Sequence, residues 1–205
     1  MKWWVVPVAA AGIAVAGVAA YGGAVIFGGD SRWPLPWRRF YAASESMAPA
    51  IREGASLTAR RKPAQELRRG DVVVFAVGDS MWIQRVAGLP GDRMEMRGGL
   101  VVLNGKPVQQ SPAGTLEIAG NRAQIRAEQL PGEAMPHRVL DTGATSGDEM
   151  PPVQVPPGRL FMLGDNRDNS LDSRFPPQPA GIGGGGLVAF EDVFGTIAAE
   201  EIGTR

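Results

Sequence analysis

The stretch Asp71-Val72-Val73-Val74-Phe75-Ala76 decides the fold class. A short, continuous apolar run rich in β-branched residues, opened by Arg69-Gly70, reads as a buried strand. On its C-terminal side, residues 81–87 form the next candidate strand and are closed by Gly88-Leu89-Pro90-Gly91. Residues 93–97 and 100–103 follow, and Asn104-Gly105 between Leu103 and Val108 is a two-residue hairpin signal, because such turns need positive φ at both positions. On the N-terminal side, residues 56–59 read as a strand that leads into the basic turn Arg60-Arg61-Lys62-Pro63. Further along, the core resumes at residues 160–163 and ends over 187–199. The 28 Gly and 17 Pro punctuate the 205-residue chain too often for long helices. A mostly β fold is expected.

Residues 111–157 are Gly-, Pro- and acid-rich, with short strands expected only at 116–119 and 138–140. The division expected is a core in two parts, 30–103 and 158–205, with a smaller loop-rich β subdomain inserted over 104–157. Ahead of the core, Trp3 to Gly29 is a run of 27 uncharged residues, long enough to cross a hydrocarbon layer of about 30 Å at about 1.5 Å per residue. It reads as a single N-terminal transmembrane helix, residues 1–29. A cleaved signal peptide is the competing reading, since Ala14-Val15-Ala16 offers a small-x-small site, but the apolar run is long for that class. Trp33 and Trp37, flanking Pro34 and Pro36, suit a belt at headgroup level, which makes the lipid bilayer an expected partner. The positive-inside count, with Arg32, Arg38 and Arg39 after the span against Lys2 before it, points the C-terminal bulk to the cytoplasm.

Charge and rare residues narrow the chemistry. With 21 basic and 21 acidic side chains no bulk field favours nucleic acid. The absence of Cys removes thiol nucleophiles, disulfides and cysteine metal sites, and a single His removes multi-histidine zinc sites. No cofactor and no metal are expected. If the function is hydrolysis, the base must be His137, a carboxylate, or one of the three lysines Lys2, Lys62 and Lys106.

Two polar stretches stand out against this background. Ser44-Glu45-Ser46-Met47-Ala48-Pro49 places two hydroxyls one residue apart, which read alone is a polar turn. Residues 164–174 (Gly-Asp-Asn-Arg-Asp-Asn-Ser-Leu-Asp-Ser-Arg) have the alternating Asp and Asn of a calcium loop but lack its glycine and its terminal bidentate Glu, and they carry Arg167 inside the would-be cage. The better reading is a rigid loop in which Asp172 pairs with Arg174 and Ser170 is held in place.

These two stretches, together with Arg69 to Phe75 and Arg85-Val86-Ala87-Gly88-Leu89-Pro90-Gly91-Asp92, resemble the boxes of bacterial type I signal peptidases, in that family's order. The resemblance implies a membrane-anchored serine endopeptidase of the bacterial inner membrane, single-pass, with its catalytic domain on the exported side. Its implied substrates are the signal peptides of exported preproteins, cut after small-x-small residues. It also implies roles. Ser46 falls on the nucleophile, and the Ser46 N–H with the Ser44 hydroxyl falls on the oxyanion hole. Met47 falls on the pocket for the small residue before the cut. Ser170 matches the hydroxyl that orients the general base, Asp172 and Arg174 match a supporting salt bridge, and Arg85 matches a basic residue beside the base.

The base itself departs from the pattern. Where the family has a lysine kept neutral by burial, this chain has Gln84, in Trp82-Ile83-Gln84-Arg85-Val86. A carboxamide oxygen is too weakly basic to take the serine proton, and its nitrogen has no available lone pair. Of the substitutes, His137 lies in the resembling family's non-catalytic subdomain, Lys62 and Lys106 are expected in solvent, Lys2 is at or across the membrane, and Arg85 stays protonated. Asp165, Asp168 and Asp172 are expected in structural pairs. Removal of the base from a serine protease costs on the order of 10⁴ to 10⁶ in kcat. Two functions are therefore expected side by side: a signal peptidase of severely impaired activity, or a catalytically silent paralogue that binds signal peptides or a partner peptidase. A self-cleaving repressor is disfavoured, since no DNA-binding module precedes the β core.

Overall fold

The computed structural model describes residues 35–118, 120–177 and 185–203. The chain falls into two units, Met1–Pro36 and Trp37–Arg205. The expected membrane helix over 1–29 lies outside the described residues, and among those described no helix is long and apolar enough to cross a membrane. The second unit is mostly β, as expected.

Seven strands form the largest sheet: β1 (Trp37–Tyr41), β2 (Ser56–Arg61), β3 (Val72–Val77), β4 (Ser80–Gly88), β12 (Arg159–Leu163), β13 (Val188–Ala189) and β14 (Val193–Ile197). Their order is β1-β2-β14-β3-β4-β12-β13, every pair antiparallel. The apolar runs that identified the central strands have a direct cause here. On β12, Leu160 and Met162 pack into one core with Val73, Phe75 and Val86, whereas Phe161 and Leu163 pack into another with Ala87, Met94 and Leu103. A strand covered on both faces has no position to spare for a polar residue, and each fully buried Leu, Met or Phe contributes about 1.5–3 kcal/mol.

The second core is closed from outside by a four-stranded sheet of order β11-β5-β6-β7, built from β5 (Arg93–Arg97), β6 (Leu100–Leu103), β7 (Lys106–Pro107) and β11 (Met150–Gln154). The Asn104-Gly105 hairpin forms as expected, with φ of 53° and 78° and Leu103 facing Lys106. Asn104 also caps the turn region, its Oδ1 accepting from the Arg93 N–H at 2.8 Å. Strand β11 contains Pro151-Pro152, which hid it in the sequence. As the edge strand of its sheet it tolerates two residues without an N–H.

Residues 111–157 require a correction. In place of a loop-rich segment, β8 (Gln109–Ile118) and β9 (Asn121–Gln129) form a long hairpin in register from Gln109↔Gln129 to Ile118↔Asn121, and β10 (His137–Asp141) completes a three-stranded sheet of order β10-β9-β8. Strand β8 is largely exposed and is broken in register between Pro112 and Gly114, so it lacks the apolar alternation that marks a half-buried strand. Strand β1 was also missed. Its Trp37, read from sequence as part of a headgroup belt, lies on the edge of the large sheet and is 39% exposed.

Candidate active site

The turn after β1 is pinned by its own backbone and by three buried side chains. Ala48 N–H donates to Glu45 O at 3.0 Å and Ile51 N–H to Met47 O at 2.8 Å, while Met47, Ala48 and Ile51 are all buried. The serines stay at the surface: Ser44 is exposed and Ser46 half-buried. The Ser44 hydroxyl donates to Ser46 Oγ at 3.1 Å, and the Ser46 N–H reaches Ser44 Oγ at 3.4 Å. The two groups that the resemblance assigns to an oxyanion hole therefore bond to each other in this structure.

Behind the turn runs the 164–174 loop, and backbone bonds seat one on the other. Asn166 N–H donates to Ser46 O at 3.0 Å and Asn166 Nδ2 to Glu45 O at 3.1 Å. Gly164 lies between the two parts. A Cβ at that position would stand 2.2 Å from Ser170 Oγ and 2.7 Å from Ser46 O, so only glycine permits the approach. The expected Asp172–Arg174 pair is present and two-pronged, at 2.8 and 2.9 Å, and both residues are buried. Asp172 also accepts the Gly164 N–H at 3.0 Å, and Arg174 donates to Arg167 O and, at 3.4 Å, to Gly147 O. The loop's polar groups are held partly from within, as here, and partly from outside, Asp168 accepting from Thr142 and Thr145 and Ser173 Oγ donating to Gly186 O at 2.7 Å, which together fix its shape. Two buried atoms of the loop have no hydrogen-bond partner, the Ser170 hydroxyl and Asn166 Oδ1.

Gln84 and Arg85 enter from β4, opposite Val73 and Val72. Gln84 is buried, and its Nε2 donates to Leu171 O at 2.9 Å, one residue beyond Ser170. Arg85 grips Asp165 with two bonds of 2.7 and 2.6 Å and donates to Gly70 O at 2.8 Å. Burial opposes the charge on Arg85, but the Asp165 carboxylate outweighs it and holds the guanidinium ionised. The structure thus joins the Ser46 turn to the loop carrying Ser170, Asp172 and Arg174, and joins Gln84 and Arg85 to that same loop.

No alternative base bonds to Ser46 among the described residues. Lys62, expected free in solvent, instead pairs with Asp71 at 2.8 Å. Lys106 is exposed, as expected. His137 is buried between Glu133, 3.0 Å from Nδ1, and Glu128, 3.4 Å from Nε2. Sequence reasoning missed two features here. Sequence reading takes Asp165 as structural without its partner Arg85, and the pairing of Arg167 with Glu128 joins the loop to β9, far off in sequence, with no local signal at Glu128.

A groove of about 340 Å³ opens beside the serines, lined by Phe40, Tyr41, Ala42, Ala43, Ser44, Ser46, Met47, Ile51 and, from β4, Ser80, Met81, Trp82 and Ile83. Pairing of β12 with β4 begins only at Arg85, so residues 80–83 pair with β3 alone. A larger cleft of about 680 Å³ lies between Arg69, Lys106 and Glu133, and none of the residues to which the resemblance gives a role lines it.

An antiparallel β fold here presents paired serines over a loop braced by a buried Asp–Arg pair. The chain belongs to the signal peptidase family S26: the family model described as "Signal peptidase, peptidase S26" matches residues 24–200. It is 36% identical over 132 residues to signal peptidase I S of Bacillus subtilis (strain 168), covering 63% of this chain and 62% of that protein. It is 31% identical over 132 residues to a signal peptidase I of Bacillus amyloliquefaciens, covering 63% and 61%. The matches span about three fifths of the length of these relatives. A crystal structure of a signal peptidase I from Enterococcus faecalis V583 matches with 24% identity and a TM-score of 0.37, covering 65% of this chain and 97% of that one.

Proposed function

We propose that this chain is a membrane-anchored serine endopeptidase of the signal peptidase I type, directed at the signal peptides of exported preproteins, in which Gln84 leaves hydrolysis severely impaired. One observation carries the proposal: the buried Gln84 donates its amide to Leu171 O, while the neighbouring Ser170 hydroxyl has no partner. Ser46 is the nucleophile in this reading. Ser44 turns its hydroxyl from Ser46 Oγ to the developing oxyanion when a carbonyl arrives, beside the Ser46 N–H. Met47 shapes the pocket for the small residue before the cut, and Asp172 with Arg174 holds the loop from which Ser170 would orient a base. An extended peptide is received along the half of β4 that lacks a second neighbour, where main-chain bonds give affinity and the groove selects side chains.

Without a base, the proton of Ser46 has nowhere to go, and what remains is binding and oxyanion stabilisation. That same deficit favours a second reading, a silent paralogue that holds signal peptides or a partner peptidase without cutting. The exported side of a bacterial inner membrane is the location proposed for the catalytic unit, with residues 1–29 as anchor. The test is to measure binding and cleavage of a signal-peptide substrate by the full chain and by Ser46→Ala. Binding by both, with cleavage by the wild type several orders of magnitude below a lysine-containing relative and lost in Ser46→Ala, supports the impaired enzyme. Binding with no Ser46-dependent cleavage supports the silent paralogue, and absence of binding rejects the impaired enzyme and any paralogue that holds signal peptides.

A further inference from the structure

We infer that His137 is a positioning residue, whose imidazolium bridges Glu128 and Glu133 and thereby clamps the 164–174 loop against the Ser46 turn. His137 is the only histidine in the chain, and its side chain is 7% exposed. Nδ1 stands 3.0 Å from one oxygen of Glu133 and 3.1 Å from the other. Nε2 lies 3.4 Å from Glu128 Oε1, within ion-pair reach but not aligned as a hydrogen bond.

Each carboxylate passes the contact on. Glu128, on β9 and wholly buried, is gripped through both oxygens by Arg167 and receives Gln110 Nε2 from β8 at 2.6 Å. Arg167 in turn donates to Gly164 O at 3.2 Å and accepts from Arg174 at its own carbonyl. Glu133, in the turn between β9 and β10, holds the Leu130 N–H at 2.6 Å and lies against Gly70, where an added Cβ would meet Glu133 Oε1 at 2.2 Å. Gly70 O is the acceptor for Arg85, and Arg85 returns the path to the loop at Asp165. The strand that carries His137 also touches the loop directly: Leu140 N–H donates to Asp165 O at 2.8 Å, one residue before the Asn166 that bonds Ser46 O.

Charge explains why the imidazole must be protonated. The ionised groups around it are Glu128 from β9, Glu133 from the β9–β10 turn, Arg85 from β4, and Asp165 and Arg167 from the loop. Three carboxylates face two guanidiniums, and a proton on His137 completes the balance in a region where an unmatched charge is costly. Burial lowers the His137 pKa and Arg85 opposes protonation as well, yet the adjoining Glu128 and Glu133 carboxylates raise it above its ordinary value. A folded-state pKa raised in this way contributes stability in full below about pH 6.5, and that contribution is lost as pH rises through the higher value.

That the clamped parts form a peptide site rests on the function proposed above; the clamp itself does not. The test follows the His137 ring proton by NMR in the full chain in detergent micelles, beside amide exchange of residues 164–174 corrected for intrinsic rates. The expected midpoint is above 6.5, and protection of 164–174 falls across it by about tenfold for each unit of elevation. His137→Gln flattens that pH dependence, and Glu133→Gln, which leaves the imidazole one carboxylate, moves the midpoint down. A midpoint at or below 6.5, protection unchanged across it, or an unaltered pH profile in His137→Gln overturns the inference. Neither readout uses a peptide, so failure to bind one counts against the proposed function alone.

Discussion

On the function proposed, Gln84 leaves Ser170 without the partner it would otherwise meet. A buried hydroxyl with no partner costs about 1–3 kcal/mol, and the group that would have met it, by family resemblance, is the side chain replaced by Gln84. Ser170→Ala should therefore leave the stability of the wild type unchanged or raise it, read as the midpoint of urea unfolding. In a Gln84→Lys background the same change should cost activity, because the amine then needs the hydroxyl. Equal effects in both backgrounds would place Ser170 outside the base's reach. Gly164 makes a second residue-scale case. Gly164→Ala forces a methyl onto Ser170 Oγ and Ser46 O, so peptide affinity should fall by tenfold or more while the cores, which it does not touch, hold. An unchanged affinity would mean that the turn and loop need not meet this closely.

At the scale of elements, buried and surface ion pairs should part company. Asp165→Asn leaves the Arg85 guanidinium buried without its carboxylate and should cost about 3–5 kcal/mol, whereas Glu95→Gln at the exposed Arg97 pair should cost under about 1 kcal/mol. Denaturant titration of both variants checks the ratio. Gly195 on β14 has the Arg60 carbonyl of β2 where a Cβ would go, at 1.9 Å, so Gly195→Ala should separate two central strands and destabilise by at least about 1–3 kcal/mol. What the sequence disclosed tracks these differences. Strands β3, β5, β6 and β12 were legible because burial makes their apolar residues obligatory, and the Asn104-Gly105 turn because few residues accept its φ. Strand β8 was legible only over its last residues, 116–118, and β9 not at all, since mutual backbone pairing holds them and the exposed side chains of β8 carry little of the pattern. Among site residues, Ser46, Gln84 and Asp172 lay in local motifs, whereas the Glu128–Arg167 contact depends on a hairpin that the sequence did not announce.

For the molecule as a whole, the function proposed sets an intact framework beside a missing proton acceptor. The turn, the loop and the Arg85–Asp165 and Asp172–Arg174 pairs form one braced assembly, and it is assembled with a carboxamide at its centre. A chain of this kind should remain a good receptor for its peptide. It should also remain membrane-bound until residues 1–29 are removed, after which the catalytic unit should appear in the soluble fraction; retention on the membrane would mean that another part of the chain holds it there. The most direct test of the central claim is single-turnover cleavage of one signal-peptide substrate by the wild type, Gln84→Lys and Gln84→Lys/Ser46→Ala at the same pH. The account predicts a gain on the order of 10³-fold or more in Gln84→Lys, abolished by the added Ser46→Ala, since the base is the one part absent. A wild type that already cuts as fast as Gln84→Lys would contradict it, and would mean that this chain activates Ser46 by another group.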